Sequence, residues 1–284
     1  MVNKCGLVLE GGAMRGMFTA GALDVLMENH IEFDGIIGVS AGAVFGCNYK
    51  SGQVGRTIRY NTKYCKDKRY CSFHSLITTG DLFGAEFCYS KIPNELDKFD
   101  EDTYKNNPTA FYVTATDITT GKAVYKKCDN ADKADLEWYR ASASMPLLSR
   151  IVEIGDYKLL DGGISDPIPL EHFEKSGYNR NIVILTQPDG YIKRRSKALP
   201  LIKAFYKDYP LLKTVMSNRH NVYNAQTEYV RKREREGNVV VIRPPFKLDI
   251  GRIERDPSKL KNAYEIGRKE CEEKISIIKS FLEK

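Results

Sequence analysis

Ser40 stands inside the Gly-x-Ser-x-Gly pattern GVSAG, at Gly38–Gly42, directly behind an apolar run. A serine hydroxyl is a poor nucleophile. An enzyme that uses one also needs a base, donors for the developing oxyanion and a geometry that exposes Oγ. Gly38 and Gly42 would relieve crowding on both sides of a sharp strand-to-helix turn, which is the geometry of a nucleophile elbow. The pattern predicts a nucleophile at Ser40, and a helix cap is the alternative for the same position.

The glycine-rich turn EGGAMRG follows the apolar run CGLVLE. Bare amides of such a turn can hold an anion, and the helix that follows adds its positive end. A dinucleotide site fits poorly, because Ala13 stands where that fingerprint requires glycine, and a P-loop is excluded because no Gly-Lys-Ser/Thr follows. The turn therefore predicts an oxyanion hole, with the amides near Gly12 and Ala13 as the main donors. The residues of this predicted site are Gly11, Gly12, Ala13, Arg15 and Gly16, of which Arg15 adds positive potential.

Asp161 is the predicted base. The chain has four histidines, and none of them stands in a tight turn after a strand, where a triad histidine is usually found. Asp161, in LLDGG, ends an apolar run and is followed by Gly162 and Gly163, so its carboxylate can reach the same sheet edge as Ser40. A carboxylate is a weak base and needs a close hydrogen bond and a site partly withdrawn from water. Asp-Gly is also ordinary hairpin chemistry, so the alternative is a plain turn residue.

The elements that must position these residues alternate along the chain. Apolar runs predict strands at 5–10 and 35–39, and each run leads through a small-residue turn into a helix. This alternation favours an α/β fold with a largely parallel sheet covered by helices on both faces. The later predicted elements are a strand at TAFYVTATDI with a hairpin to KAVYKK, a helix over 132–142, a hairpin in IVEIGDYKLLDGG, a short helix after Pro169, the strand NIVILT, two amphipathic helices over 200–236, the edge strand VVVIR and a final helix capped by Asp256.

For two segments, residues 53–107 and the final helix, the sequence leaves open where they pack. Residues 53–107 are basic and aromatic. They are predicted to be mostly helical and irregular, and to be a cap or an insertion. The final helix has one apolar face, while its polar face carries both charge signs, which favours packing on the sheet over lying on a membrane. That apolar face consists of Leu260, Tyr264, Gly267, Cys271, Ile275, Ile278 and Leu282.

Composition limits the class of protein. The chain has 284 residues, of which 42% are hydrophobic and 29% charged, as in ordinary globular proteins. It lacks a secretory signal and any apolar stretch near the roughly 20 residues that span a bilayer, which predicts a soluble, cytoplasmic protein. Seven scattered cysteines without paired CxxC motifs indicate reduced thiols and no structural zinc.

The net charge of +7 favours anionic partners: nucleic acid, a phospholipid surface or a charged substrate. Two basic clusters stand out, KRR at 193–195 and RKRER at 231–235. The second cluster contains glutamate, which favours a solvated helix face over a phosphate grip. Direct nucleic-acid binding is disfavoured, because no helix-turn-helix, zinc-finger or RNP-like motif accompanies the charge.

Taken together, these motifs resemble those of the patatin-like phospholipases. EGGAMRG corresponds to the family's oxyanion loop, GVSAG to its nucleophile elbow and DGG to its aspartate, and RASASMP resembles the segment that precedes the DGG strand. The similarity covers about residues 7–172. It implies a three-layer α/β/α fold and a Ser40–Asp161 dyad that works without a metal or organic cofactor. Ala13 departs from the commoner third glycine of the loop and could narrow the acyl slot.

The resulting prediction is a serine acyl hydrolase that acts on phospholipid or lysophospholipid esters. Residues 5–175 would form the catalytic domain, and 176–284 an α/β extension packed on it. A thioesterase or general carboxylesterase with the same dyad is one alternative. A non-catalytic module that binds anionic lipid is another, and peripheral contact with an anionic membrane is compatible with either class.

Overall fold

The computed structural model describes residues 4–283, so Lys284, the last residue of the predicted C-terminal extension, lies outside the described residues. Within that range the chain forms one eight-stranded sheet. The strands are β1 (Lys4–Leu9), β2 (Gly35–Val39), β3 (Ala110–Asp117), β4 (Lys122–Lys127), β5 (Val152–Ile154), β6 (Tyr157–Asp161), β7 (Tyr178–Ile184) and β8 (Val239–Ile242).

Helices surround this sheet and occupy most of the predicted helical segments. The helices are α1 (Met17–Glu28), α2 (Ala41–Lys50), α3 (Arg56–Tyr64), α4 (Phe73–Thr79), a π-helix (Phe87–Leu96), α5 (Glu101–Asn106), α6 (Lys133–Ser142), α7 (Leu170–Lys175), α8 (Leu199–Phe205), α9 (Pro210–Arg235), α10 (Pro257–Glu272) and α11 (Ile275–Leu282). The prediction that residues 53–107 are mostly helical is confirmed.

The sheet is mixed, with mostly parallel strands. β1 pairs in parallel with β2 and β7, β2 pairs in parallel with β3, and β7 with β8. The two predicted hairpins, β3–β4 and β5–β6, are antiparallel, and β6 also runs antiparallel to β3. β8, which forms from the predicted segment VVVIR, stands at one end of the strand order, as predicted for an edge strand.

Helices cover both faces of the sheet. Side chains alternate along a strand, so Leu7 and Leu9 of β1 join one apolar core, which α1, α2 and α10 pack against. Val8 of β1 and Ile37 of β2 join a second core on the opposite face, together with residues of α7 and α9. This arrangement is the predicted three-layer α/β/α fold.

The C-terminal segment differs from the single predicted helix. Asp256 caps α10 by accepting a hydrogen bond from Ser258 N at 2.9 Å, but the helix is interrupted before α11 begins at Ile275. α10 packs mainly on α1 and not on the sheet. A Cβ added to Gly267 would lie 2.0 Å from the Phe18 carbonyl oxygen, so glycine lets the two helix backbones approach closely. The apolar face is therefore buried as predicted, but against another helix, while α11 contacts β7 and β8.

No helix among the described residues has the length and apolar character that crossing a membrane requires.

Candidate active site

The pairing of β3 explains how Ser40 and Asp161 come together. Residues 112–114 pair with both β2 and β4, and residues 115–117 pair with both β4 and β6. Because a strand has only two edges, β2 and β6 must share the edge opposite β4. These two strands run in opposite directions and approach each other end to end.

The register sets the meeting point to within one residue. β2 ends with Val39 opposite Thr114, and β6 ends with Asp161 opposite Ala115. Thr114 and Ala115 are consecutive, so Ser40, which follows Val39, lies beside Asp161. The two predicted residues are thus neighbours across a shared strand edge.

Ser40 has a strained backbone, with φ 54° and ψ −124°. Non-glycine residues in such regions are uncommon and concentrate at functional sites. Its side chain makes no capping hydrogen bond to α2, which argues against the helix-cap interpretation. The Ser40 amide donates to Ser142 Oγ at 2.8 Å, and Ser142 Oγ donates to the Thr114 carbonyl at 2.6 Å. Ser142 therefore ties the strained turn to β3.

The glycines of the elbow stand where no side chain fits. A Cβ on Gly38 would lie 2.6 Å from Ala43 Cα, and one on Gly42 would lie 2.5 Å from the Leu9 carbonyl oxygen. Both neighbours are backbone atoms and cannot move aside easily. The turn into α2 can be this tight only because both positions are glycine.

The turn after β1 presents unpaired amides next to Ser40. Among residues 4–283, no acceptor takes a hydrogen bond from the amides of Gly11, Gly12 or Ala13. A Cβ on Gly11 would lie 3.0 Å from Ser40 Cβ, so this turn lies directly against the serine. Ala13 has φ 48°, a left-handed conformation in which glycine is the usual residue. These amides could hold an oxyanion that develops beside Ser40.

The other two residues of the predicted oxyanion site have different surroundings. The Arg15 amide donates to the Gly12 carbonyl at 3.2 Å, so Arg15 can contribute only its guanidinium. A Cβ on Gly16 would lie 2.8 Å from the Phe45 ring. Gly16 thus lets the turn after β1 pack closely against α2.

Asp161 is held firmly at the end of β6. Its amide donates to the Ser144 carbonyl at 2.8 Å, and its Oδ1 accepts from the Gly163 amide at 2.7 Å. Burial raises the pKa of the Asp161 carboxyl, while a hydrogen bond with the Ser40 side chain and the nearby Arg219 charge lower it. The net shift is upward, which brings this carboxylate nearer to the pKa that suits a general base.

The glycines after Asp161 keep the loop close to β3. A Cβ on Gly162 would lie 2.1 Å from the Thr114 carbonyl oxygen. Gly163 donates its amide to Asp161 and accepts, at its carbonyl oxygen, a 2.5 Å hydrogen bond from Arg219 Nε. DGG is therefore a compact loop that orients the carboxylate.

Ser40 lies at the junction of two cavities. Ala13 and Met145 also line both of them. The first, the apolar cavity, has a volume of about 120 Å³. Much of its wall comes from residues 53–107, including Tyr60, Tyr70, Phe83, Tyr89, Ile92 and Phe99. Residues 53–107, predicted to be a cap or an insertion, thus supply much of the wall of an apolar cavity that is suited to an acyl chain.

The second, the cationic cavity, has a volume of about 270 Å³ and contains Asp161. Four basic side chains line it: Arg15, Lys193, Arg219 and Arg252. Of these four residues, the sequence predicted only Arg15 as a site residue, and Lys193 appeared only as part of the basic cluster KRR. A signal for Arg219 existed, because Met216, Arg219 and Tyr223 recur on one face of α9 and all three line this cavity.

The remaining charged and titratable candidates lie elsewhere. None of the four histidines lines either cavity within the described chain, and His172 stacks on the Tyr125 ring with centroids 3.4 Å apart. Arg231 and Arg233 pair with Asp189 and Glu174 at 2.7 and 2.8 Å, which matches the solvated-face interpretation of RKRER. Among residues 4–283, no group of three His, Cys, Asp or Glu side chains could hold a metal ion.

Two family models match separate segments of the chain. A family model described as patatin-like phospholipase matches residues 7–173, more than half of the chain. A second model, described as a domain of unknown function (DUF6363), matches residues 209–283. Lys193 lies between the two matched segments, and Arg219 and Arg252 lie within the second.

Three individual proteins show different extents of similarity. The uncharacterized protein YjjU of Escherichia coli is 28% identical in an alignment of 286 residues, gaps included, and this alignment covers 94% of this chain and 75% of that protein. Lysophospholipase nte1 of Aspergillus niger is 28% identical over 182 residues, covering 62% of this chain and 11% of that protein. The solved structure of VipD from Legionella pneumophila has a TM-score of 0.47 and 13% identity, covering 95% of this chain and 66% of that chain. The chain thus spans only a small part of the fungal protein.

Proposed function

The chain belongs to the patatin-like phospholipase family and is a hydrolase, and from this premise we propose that it cleaves carboxylic esters of phospholipids or lysophospholipids through a Ser40–Asp161 dyad. The observation that carries the proposal is that a strained serine meets a buried carboxylate where β2 and β6 end opposite consecutive residues of β3. The apolar cavity beside Ser40 favours a lipid acyl chain over a short soluble ester.

The proposed reaction has two halves. Ser40 Oγ attacks the ester carbonyl and passes its proton to Asp161, while the amides of Gly11–Ala13 stabilise the tetrahedral oxyanion. The bond from the acyl carbon to the alcohol oxygen then breaks, and the alcohol leaves with the proton from Asp161. Water, deprotonated by the same carboxylate, attacks the acyl-enzyme, and Ser40 recovers its proton as the fatty acid is released.

A fluorophosphonate probe and a substrate panel test this proposal. The probe should label the wild type and fail to label Ser40→Ala. Ser72→Ala is the matched control, because Ser72 caps α4 by accepting from Ser75 N and lies outside both cavities. Equal labelling of the wild type and Ser40→Ala would place the nucleophile elsewhere. Lipid esters, thioesters and short soluble esters of matched acyl chains then separate a lipid esterase from a thioesterase or general carboxylesterase.

We also propose that the face around the cationic cavity docks on an anionic lipid surface. Leu201 and Phe205 of α8 are 61% and 70% exposed, and Phe73 and Ile77 of α4 are 68% and 84% exposed. Residues 191–207 contain six Lys or Arg residues and no Asp or Glu, which suits anionic head groups.

Helices α4 and α8 both end next to the loop that contains Leu147 and Leu148. Leu82, just after α4, donates its amide to the Leu148 carbonyl at 2.8 Å, and Tyr206 Oη, just after α8, accepts from the Leu147 amide at 3.2 Å. Leu147 and Leu148 line the cationic cavity. The exposed apolar side chains therefore belong to two helices that end next to a loop lining the cationic cavity, which is the arrangement that the proposed docking surface requires.

Vesicle binding tests the docking surface. The double variant Leu201→Ser with Phe205→Ser should bind vesicles of phosphatidylglycerol and phosphatidylcholine at least about tenfold more weakly, because the two side chains together lose at least about 1.4 kcal/mol of apolar burial. Val54→Ser is the control, since Val54 is also exposed but follows the far end of α2. Equal binding by all three proteins would refute this docking surface.

A further inference from the structure

The cationic cavity brings together residues from both matched segments of the chain. Arg15 belongs to the turn after β1, whereas Lys193, Arg219 and Arg252 come from the chain after residue 173. Arg219 is anchored by its Nε hydrogen bond to the Gly163 carbonyl, next to Asp161. The Lys193 ammonium lies 4.1 Å from the centroid of the Tyr223 ring. Four separate parts of the chain thus direct positive charge into one space.

Within the described residues, this cavity has fewer carboxylates than basic side chains. Its two acidic residues are Glu10 and Asp161. Glu10 accepts hydrogen bonds from the Thr186 amide at 2.5 Å and from Tyr223 Oη at 2.8 Å, so both of its carboxylate oxygens are already engaged. Asp161 is bound to the Gly163 amide and faces Ser40. Four basic side chains therefore share the cavity with two carboxylates, which can balance only part of their positive charge.

The basic side chains are also incompletely satisfied. Arg15 Nε is buried and has no hydrogen-bond acceptor among residues 4–283. Burial, followed by repulsion from Arg219, lowers the pKa of Lys193 to about 7. Burial likewise lowers the pKa of Arg15 and of Arg219. Like charges held this close and partly dry gain stability from an anion placed between them.

We infer that the cationic cavity binds the alcohol portion of the substrate and selects alcohols that carry a phosphate with net negative charge. This inference rests on the proposed function, since it assumes that Ser40 attacks the ester between the two cavities. The acyl chain occupies the apolar cavity, the acyl C–O bond breaks at Ser40, and the phosphate-bearing alcohol leaves through the cationic cavity. Arginine suits this role because its planar fork matches phosphate oxygens.

The cavity discriminates against zwitterionic head groups. A quaternary ammonium needs a free carboxylate or an open aromatic face. Here each Glu10 carboxylate oxygen already accepts a hydrogen bond, and the Tyr223 ring already faces Lys193. A choline group would therefore add repulsion from the cations without gaining a partner. The chain after residue 173 thus supplies a specificity pocket for the reaction at Ser40.

The test uses three esters with the same octanoyl chain, all kept monomeric: monoacylglycerol, lysophosphatidylcholine and lysophosphatidic acid. The expected kcat/KM is highest for lysophosphatidic acid, by about ten- to a hundredfold over monoacylglycerol, as expected for one or two charged hydrogen bonds. Lys193→Met and Arg252→Gln should lower this ratio mainly through KM. Lys261→Met, which removes the same charge from an exposed position on α10 outside the cavity, should not.

Inorganic phosphate provides a second readout and separates the two sources of the anion. If free phosphate competes with lysophosphatidic acid in the wild type and competes more weakly in Lys193→Met, the cavity binds the phosphate itself. If phosphate does not compete while the ratio remains high, the cavity binds phosphate only as part of the lipid, and the inference stands for the lipid head group.

Two outcomes would overturn the inference while the proposed function stands. One is equal kcat/KM for lysophosphatidic acid and monoacylglycerol, with both hydrolysed in a Ser40-dependent manner. The other is an equal fall of the ratio in Lys193→Met and Lys261→Met, which would assign the preference to overall charge. Hydrolysis of none of the three esters, without probe labelling at Ser40, would instead refute the proposed function.

Discussion

Asp161→Asn is the sharpest test of the dyad, because the structure predicts that the variant folds. Asparagine has the same shape and keeps an oxygen that can accept from the Gly163 amide, which now lies 2.7 Å from Oδ1. The other contacts of this residue with Ser144 and Thr116 use its backbone amide and carbonyl. The negative charge, the capacity to take a proton and the acceptor for the Ser40 hydroxyl are what the substitution removes.

The expected loss of turnover follows from that change. General-base assistance contributes about 10²–10⁴-fold, or about 2.7–5.4 kcal/mol of transition-state stabilisation at 1.36 kcal/mol for each factor of ten. Burial raises the pKa of Asp161, so its carboxylate is a stronger base than an exposed one, and we expect a loss of at least about 100-fold. The loss should fall on kcat, because the proton is transferred only in the chemical step.

Asp166→Asn is the matched control for this measurement. Asp166 is also buried, and burial also raises the pKa of its carboxyl. Its partners, however, are Tyr125 Oη and Gln226 Nε2, each at 2.6 Å. Steady-state hydrolysis and thermal unfolding should show that Asp166→Asn retains turnover, whereas Asp161→Asn keeps its fold and loses turnover. Full activity in Asp161→Asn, or equal losses in both variants, would refute the dyad.

Three further outcomes follow from the same geometry. The proposed base, Asp161, is a carboxylate whose pKa is raised by burial. We therefore expect kcat/KM to fall as the pH drops through a pKa above that of an exposed aspartate, and a pH profile that stays flat to about pH 4 would contradict this. Gly42→Ala should lower the free energy of unfolding by about 1–3 kcal/mol in urea titrations, because its Cβ would lie 2.5 Å from the Leu9 carbonyl oxygen; unchanged stability would show that the elbow has room. Ser142→Ala leaves the buried Ser40 amide without its acceptor. This change should lower the free energy of unfolding by about 1–3 kcal/mol and slow probe labelling at Ser40. An unchanged labelling rate would show that Ser142 does not hold the elbow.

The motifs around Ser40 and Asp161 could be predicted because each one is local. A strand, a tight turn and a helix appear in the sequence as an apolar run, small residues and a periodic pattern, and this is how GVSAG and LLDGG were recognised. The same logic predicted the hairpins and the α/β class. The role of Ser142 was less accessible, because its two hydrogen bonds join β2 to β3 and depend on tertiary register.

The cationic cavity was harder to predict for the same physical reason. Lys193, Arg219 and Arg252 lie in different elements, and nothing in their spacing indicates that they converge. The interruption before α11 was missed because the apolar positions continue across it without a change of period. Patterning reports which face is buried, but it does not report which neighbour covers that face, so α10 was expected on the sheet and lies on α1.

The chain after residue 173 contacts the turn after β1, the proposed oxyanion turn, which argues against treating this part of the chain as a dispensable extension. The Arg252 carbonyl accepts a hydrogen bond from the Met14 amide at 3.3 Å, just beyond the unpaired amides of Gly11–Ala13. Glu10, at the start of that loop, is held by Thr186 and Tyr223. β7 pairs with β1 along its whole length, so a chain cut at residue 175 would expose the edge of the strand that carries the loop. We therefore expect the isolated 1–175 segment to lose both its stability and its reaction with the probe, and a well-folded, Ser40-reactive fragment would show that these contacts are unnecessary.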